Sequence, residues 1–304
     1  MARDWRPRWG ATLDRLSDEE RKSLTHGDFW IPADVRRVYR LALETLNAAR
    51  IPYVVAGAYA IYEYTGIYRQ TKDLDLFFEP SSVLPAAYAL KDAAFRLRLV
   101  DAHWLAKATT DESGCVDLIY GMGNGVAFVD RSWFDFSRAG MLAGAPVRVA
   151  PAEELIWHRL FISERHRQDM ADILHVLLAV GDTLDWDRLL ARVGPHWPLL
   201  LAQILLFGYV YPGFRSKVPR RVLDGLLDRA RDELGRDEPD VTITRGPLIS
   251  RFSFAIDVQE WGFTSPRGDL VRRAQAAEAV RRIAADPIWE DAESEAPLRG
   301  AQGS

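Results

Sequence analysis

Between Tyr53 and Phe78 the chain runs YVVAGAYAIYEYTGIYRQTKDLDLFF. Ile51 to Ala56 reads as a short buried strand that Gly57 ends. Residues 58–65 then read as a helix, closed by Gly66. A basic loop follows and leads into a second strand, Leu74 to Phe78, which stops before Pro80. Two aspartates, Asp73 and Asp75, stand at alternate positions where this strand begins. Side chains two apart on a strand share a face, so the two carboxylates project together. Such a pair repels itself unless a cation lies between the groups, and a divalent ion held by oxygen ligands resolves the conflict.

The turn at Gly57 supplies a second element. A strand that ends in glycine and passes at once into a helix aims free backbone N–H groups outward, which suits an anion such as phosphate. Arg69 and Lys72, just ahead of the aspartates, add positive charge. A two-metal phosphoryl-transfer site needs a third carboxylate from a neighbouring strand. The stretch Cys115 to Tyr120 offers Asp117, a lone charge between Val116 and Leu118 that is costly unless paired or metal-bound. In that arrangement Asp73, Asp75 and Asp117 share one metal ion, Asp73 and Asp75 hold another, and Asp117 is placed to take a proton from an attacking hydroxyl.

The surrounding chain bounds this reading. Its 304 residues are 48% hydrophobic and 27% charged, with a formal net charge of −4. That is the composition of a soluble globular protein without a global basic field for nucleic acid or anionic lipid. The single cysteine, Cys115, excludes an internal disulfide and fits a reducing, cytoplasmic setting. No apolar run follows Arg3, Arg6 and Arg8, so no signal peptide is expected. The most apolar stretch, Leu199 to Tyr211, falls short of the roughly 20 residues a membrane span needs.

Four segments are expected: an extension over 1–31, a catalytic core over 32–150, a mainly helical region over 151–286, and a disordered tail over 287–304. The core opens with a helix after Pro32, continues with a helix that Pro85 starts and that runs to about Phe95, and ends with a strand at Val147 to Val149. After Pro151 the helical patterns cover about 152–163, 166–180, 185–193, 198–209 and 219–234. A short strand at Val241 to Thr244 and a charged helix over 268–285 follow.

Taken together, Ala56-Gly57-Ala58, Asp73-Leu74-Asp75-Leu76 and Asp117 resemble the hallmark of the DNA polymerase β-like nucleotidyltransferase superfamily. Arg69-Gln70-Thr71-Lys72-Asp73-Leu74-Asp75 looks like the Arg-x-Thr-x-Asp-x-Asp form of its bacterial stand-alone branches, including the abortive-infection toxin type. Ala152 to Arg159, followed by Arg167 to Ile173, looks like the helical element of those branches, and 35–212 as a whole resembles a bacterial group of nucleotidyltransferases. The resemblance implies an α+β fold: a nucleotidyltransferase core with a mixed β-sheet flanked by helices, followed by an α-helical domain. It implies transfer of a nucleoside monophosphate from an NTP, such as ATP, to a hydroxyl acceptor with release of pyrophosphate. Mg²⁺ or Mn²⁺ would sit on Asp73, Asp75 and Asp117, and Gly57, Ala58, Arg69, Thr71, Lys72 and Arg159 would bind the nucleotide. The acceptor stays open between a small molecule, a protein side chain and an RNA end such as that of tRNA. A toxin setting would add an antitoxin partner.

Two residues depart from the pattern. Ala58 stands where glycine or serine is usual, and Arg159 where lysine is usual. They motivate the alternative of a catalytically inactive nucleotide-binding module. A metal phosphoesterase on the same carboxylates is a third reading.

Other motifs read more plainly. Gly121-Met122-Gly123-Asn124-Gly125 reads as a turn bordering the site, with Asn124 a candidate nucleotide contact. Asp169, Asp172 and His175, spaced three apart, look like ligands but lack a fuller cluster. Asp169 pairs with Arg165 at i,i+4 in the plainer reading, and Asp172 braces an interface. The family resemblance implies a role for Arg167 or Asp169 in shaping the cleft. Cys115 reads as a core thiol, and the paired arginines as solvated helix faces.

Overall fold

Pro32, with φ −52° and ψ 147°, stands just ahead of helix α1 (Ala33–Ala48), where its missing N–H forfeits no intrahelical bond. The helix buries Val38, Tyr39, Ala42, Leu43 and Leu46, the three- and four-residue spacing of a single face. The computed structural model of the chain describes residues 31–67, 71, 73–111, 113–164, 167–235 and 241–290.

Seven strands form one mixed sheet: β1 (Val54–Val55), β2 (Asp73–Phe77), β3 (Arg96–Asp101), β4 (Leu105–Thr109), β5 (Cys115–Ile119), β6 (Arg138–Leu142) and β7 (Ala145–Val149). Their order is β3-β4-β5-β2-β1-β7-β6. Strands β2 and β5 run parallel, as do β1 and β7; the other neighbours are antiparallel. Leu74, Leu76, Val116, Leu118, Ala106 and Ala108 are fully buried, and α1 and α3 (Pro80–Asp92) pack on each other at the sheet. The intervening residues Asp73, Asp75, Cys115, Asp117 and Lys107 therefore share the opposite face. Helix α2 (Gly57–Thr65) joins β1 to the loop before β2 and ends on Gly66 at φ 68°.

Beyond Val149 come α4 (Ala152–Arg159), a hairpin of β8 (Ser163–Glu164) with β9 (Arg167–Gln168), then α5 (Met170–Val180), α6 (Trp186–Val193), α7 (Trp197–Val210) and α8 (Arg220–Leu234). The run Trp186–Val210 is long and apolar enough by composition to cross a membrane. It is two helices broken at Gly194, however, and they bury Trp186, Leu189, Leu200, Ile204 and Phe207.

Several sequence expectations change. The helix expected from Pro85 begins at Pro80, with Pro85 inside it; so near the helix start, a missing N–H removes a single bond. Strands β3, β4 and β6 were not expected. The first carries charges at Arg96, Arg98 and Asp101, and β4 is rich in alanine, a poor strand former. Arg167–Gln168 pairs antiparallel with Ser163–Glu164 and is not part of the helix expected over 166–180. Val241 to Thr244 contributes one isolated bridge, Ile243 with Thr264.

The charged helix of 268–285 is two helices, α9 (Arg267–Ala276) and α10 (Glu278–Ala285), parted at Ala277 by an extended ψ of 136°. α10 packs on α3, and Glu290 N–H donates to Leu97 O at 2.8 Å. Residues 287–290, assigned to the disordered tail, are thus docked, and Ile288 is buried. Residues 1–30 and 291–304 lie outside the described residues, whereas Ile31, assigned to the extension, is part of the core.

Candidate active site

The site is built by register. Asp75 stands opposite Asp117 across β2 and β5, and Asp73 opposite Cys115. Lys107 stands opposite Asp117 across β4 and β5. One row across the sheet is therefore Asp75, Asp117, Lys107. Lys107 Nζ lies 2.7 Å from Asp117 Oδ1 and 3.5 Å from Asp73 Oδ2, and 3.7 Å from Cys115 Sγ. Cys115 Sγ is 3.5 Å from Asp117 Oδ1. Donor atoms of Asp73, Cys115 and Asp117 all lie within 4.8 Å of one another.

Asp75 faces Gly57. The glycine begins α2 at φ 59°, and a Cβ built on it would fall 1.7 Å from Asp75 Oδ2. Both the positive φ and the absent side chain are required here, because the carboxylate occupies the space. Ala56 N–H donates to Asp75 O at 3.0 Å, locking the turn to β2. No side chain caps α2, so the first-turn N–H groups of Gly57 and Ala58 carry the positive end of the helix into this corner.

Electrostatics follow from burial. Asp117 is 8% exposed, and burial pushes its carboxyl above the ordinary value despite the Lys107 hydrogen bond and charge, with Asp73 pushing the same way. Burial works against the Lys107 charge, but the hydrogen bond and charge of Asp117 outweigh it and hold the ammonium above its ordinary value. Burial, with the charge of Asp117 adding, raises the Cys115 thiol to about 12. Oxygen atoms are consequently the effective donors of the cluster at neutral pH, which suits a hard divalent cation. A lysine ammonium already resting between two of the carboxylates is a direct observation that this corner stabilises positive charge.

The other expected residues fall in different places. Thr71 Oγ1 donates to Asp73 O at 3.0 Å and accepts the Asp73 N–H at 3.4 Å, so its hydroxyl is engaged at the start of β2. Arg69, Lys72 and Arg165 lie outside the described residues. Arg159 lines the same cleft as Asp75 and Asp117. It is 5% exposed, with Nε 3.1 Å from Asp172 Oδ2 and 3.7 Å from Asp169 Oδ2. Asp169 and Asp172 thus hold Arg159; the expected pair of Asp169 with Arg165 falls on a residue outside the described ones. Asp169 also lines the cleft.

Asn124 donates through Nδ2 to Leu248 O at 2.9 Å and accepts the Val126 N–H, and Arg267 Nη2 donates to Gly123 O at 2.8 Å. A Cβ on Gly125 would meet Val271 N at 2.6 Å. The glycine turn is therefore the platform on which the C-terminal segment docks, and Asn124 is committed to it. That segment returns to wall the cleft of about 580 Å³, with Trp104, Trp133, Arg251, Phe252 and Arg267 among its lining.

Sequence reasoning missed Lys107, and it placed Cys115 in the core rather than among the donor atoms. Neither has a local signal. Lys107 is a lysine among alanines, and only strand pairing shows that it meets Asp117.

The chain matches no protein-family model and no curated protein sequence. Among solved structures it is similar to ANT(2")-Ia in complex with adenylyl-2"-tobramycin, at 16% identity and a TM-score of 0.36, over 58% of this chain and 98% of that one. It is similar to the lincosamide antibiotic adenylyltransferase LnuA with lincomycin bound, at 16% identity and 0.35, over 46% and 94%. An antigenic nucleotidyltransferase-like protein from Paracoccidioides brasiliensis follows at 14% identity and 0.34, over 56% and 91%.

Proposed function

We propose that the chain is a divalent-metal-dependent nucleotidyltransferase that moves a nucleoside monophosphate from an NTP to a hydroxyl acceptor. The observation that carries the reading is the row Asp75–Asp117 on adjacent parallel strands, with Asp73 beside it and the Gly57 turn pressed against Asp75. Mg²⁺ or Mn²⁺ would be held by Asp73, Asp75 and Asp117, and would supply charge to phosphate oxygens and to the hydroxyl that attacks.

The chain's own residues account for the remainder. The first-turn N–H groups at Gly57 and Ala58 receive phosphate oxygens. Arg69, Lys72 and Arg159 are assigned to the same anion, with Arg159 oriented by Asp172. Asp117, whose proton affinity burial raises, accepts the proton of the acceptor hydroxyl. The acceptor oxygen forms its bond to the α-phosphorus as the bond from that phosphorus to the bridging oxygen breaks, and pyrophosphate leaves with the electron pair. The aromatic walls contributed by Trp104, Trp133 and Phe252 suit a flat or partly apolar acceptor or base. A cytoplasmic location, where NTPs and a reduced cysteine coexist, belongs to the same reading.

The test incubates the protein with each labelled NTP, Mg²⁺ or Mn²⁺, and small-molecule, protein and RNA acceptor pools. Label transfer that Asp75→Ala abolishes supports the enzyme. Tight NTP binding without transfer to any pool would leave a nucleotide-binding module, the reading that Ala58 motivates. NTP hydrolysis independent of acceptor would make it a phosphoesterase.

A further inference from the structure

We infer that Lys107 is a built-in counter-cation of the carboxylate cluster, and that a divalent ion enters Asp73 and Asp117 by displacing it. The inference rests on the metal site just proposed and adds a residue that the reading did not contain.

Three observations carry it. Nζ of Lys107 lies within reach of Asp117 Oδ1, Asp73 Oδ2 and Cys115 Sγ. Those three residues are also the group whose donor atoms are close enough to share one ion. The ammonium is thus placed where a cation bound by them would sit, and two cations cannot occupy that space at contact distance without strong repulsion. The side chain is also guided there. β4 and β5 put Lys107 directly across from Asp117, and the Lys107 side chain is only 21% exposed, so few alternative positions let the ammonium reach water. Its flanks, Ala106 and Ala108, are fully buried on the other face, which leaves the lysine as the charged side chain of β4, on the face of the acids.

The consequence is a graded loading order. Asp75 is turned toward Gly57, and Lys107 bridges Asp117 and Asp73. A metal ion alone must therefore compete with an ammonium for two of its three carboxylates. A metal ion arriving with a triphosphate brings further anionic oxygens, and these same oxygens offer the displaced ammonium a new partner. Metal binding without nucleotide is accordingly weak, and Lys107 is what weakens it. Lys107 is a positioning residue in the sense that its ammonium bridges Asp73 and Asp117 until the exchange.

The experiment measures Mn²⁺ binding to the full chain without nucleotide, by calorimetry and by the loss of the free-ion EPR signal, at about pH 8, well above the ordinary carboxylate range. Lys107→Met keeps most of the side-chain volume and removes the charge. Its Mn²⁺ dissociation constant should fall by about tenfold or more relative to the parent, as expected when one charge-assisted competitor is lost. Lys107→Arg keeps the charge and should bind Mn²⁺ as weakly as the parent. Should Lys107→Met fold poorly by thermal melting, Lys107→Gln, neutral and able to bond Asp117, carries the same expectation. Equal or weaker Mn²⁺ binding in the neutral variants, with binding intact in the parent, overturns the exchange and leaves the metal site standing. Absence of Mn²⁺ binding in parent and variants alike, with and without NTP, overturns both.

Discussion

Two groups of acids, one on α4 and one on the sheet, are wired differently. In the helical half, Glu153 and Glu154 face Arg188 and Arg192. Arg188 Nη1 lies 2.5 and 2.6 Å from the two Glu154 oxygens, and Arg188 also bonds Glu153. Arg192 Nε adds a contact of 3.2 Å to Glu154 and reaches on to Asp130. Two acids and two guanidinium groups close on each other there. On the sheet, Asp73 and Asp117 share the ammonium of Lys107, and Asp75 stands beside Asp117 in register, turned toward Gly57. The first arrangement is architecture, since removing any member strands a charge. The second sets Asp75 and Asp117 at a cleft wall, where an incoming cation can join them. Four substitutions put that contrast under strain.

The largest effect belongs to Asp75. Asp75→Asn should lower nucleotidyl transfer on the order of 10³-fold or more, since the charge that holds metal and phosphate is removed. Its stability in urea should equal or exceed that of the parent, because one of three mutually repelling carboxylates is gone. A stability loss of the size seen for a buried ion pair would make the sheet cluster structural instead, and the contrast would collapse.

Glu154→Ala should behave in the opposite way. Glu154 is fully buried, and breaking a buried pair from one side costs about 3–5 kcal/mol. The urea midpoint should drop with little change in m, while transfer per folded molecule persists. Loss of transfer at unchanged stability would place this network in the chemistry.

Gly57→Ala joins the two halves of the site in one test. The added methyl cannot coexist with the Asp75 carboxylate as it stands, and φ 59° strains any L residue. Shifting a metal-binding carboxylate by about 1 Å should cost roughly 10²-fold in transfer. Binding of Mn²⁺ should weaken in parallel while the far-UV circular dichroism of the folded protein is unchanged, which separates a displaced ligand from a general loss of structure.

The same contrast explains what could be read without a structure. The Asp73/Asp75 pair, Gly57 and Asp117 were legible because each breaks a local rule: two acids open an apolar strand, a glycine sits at a strand-to-helix junction, and a lone charge interrupts Val-x-Leu-Ile. The strand alternation then follows from period two. Lys107, the Arg159–Asp172 pair and the docking of Asn124 on Leu248 break no local rule. Their meaning comes from residues 10, 13 and 124 positions away, and strand register or tertiary return sets those partners. Strands β3 and β4 were hidden for a related reason. Alternating arginines and an alanine-rich run carry little intrinsic strand preference, and the pairing with β5 overrides it. The return of residues 241–290 to the core, which builds one wall of the cleft, likewise had no local mark.

The smallest effect lies at the rim of the closed network and depends on pH. Asp130 makes a two-pronged contact with Arg192, at 2.5 and 2.6 Å, and accepts from Ser132. Burial alone would raise its carboxyl, but the hydrogen bonds from Arg192 and Ser132 prevail and hold it below the ordinary 3.8. A carboxyl depressed on folding contributes stability that is present above its unfolded value and is lost as pH falls through the folded one. The Asp130 side chain is half exposed, so the contribution is screened, and Asp130→Asn should cost under about 1 kcal/mol at neutral pH. The parent and the variant should therefore differ slightly above about pH 4 and converge on further acidification. A gap that persists in acid would mean that packing of Arg192 over Trp157, at 5.1 Å, and not the ion pair, is what Asp130 secures.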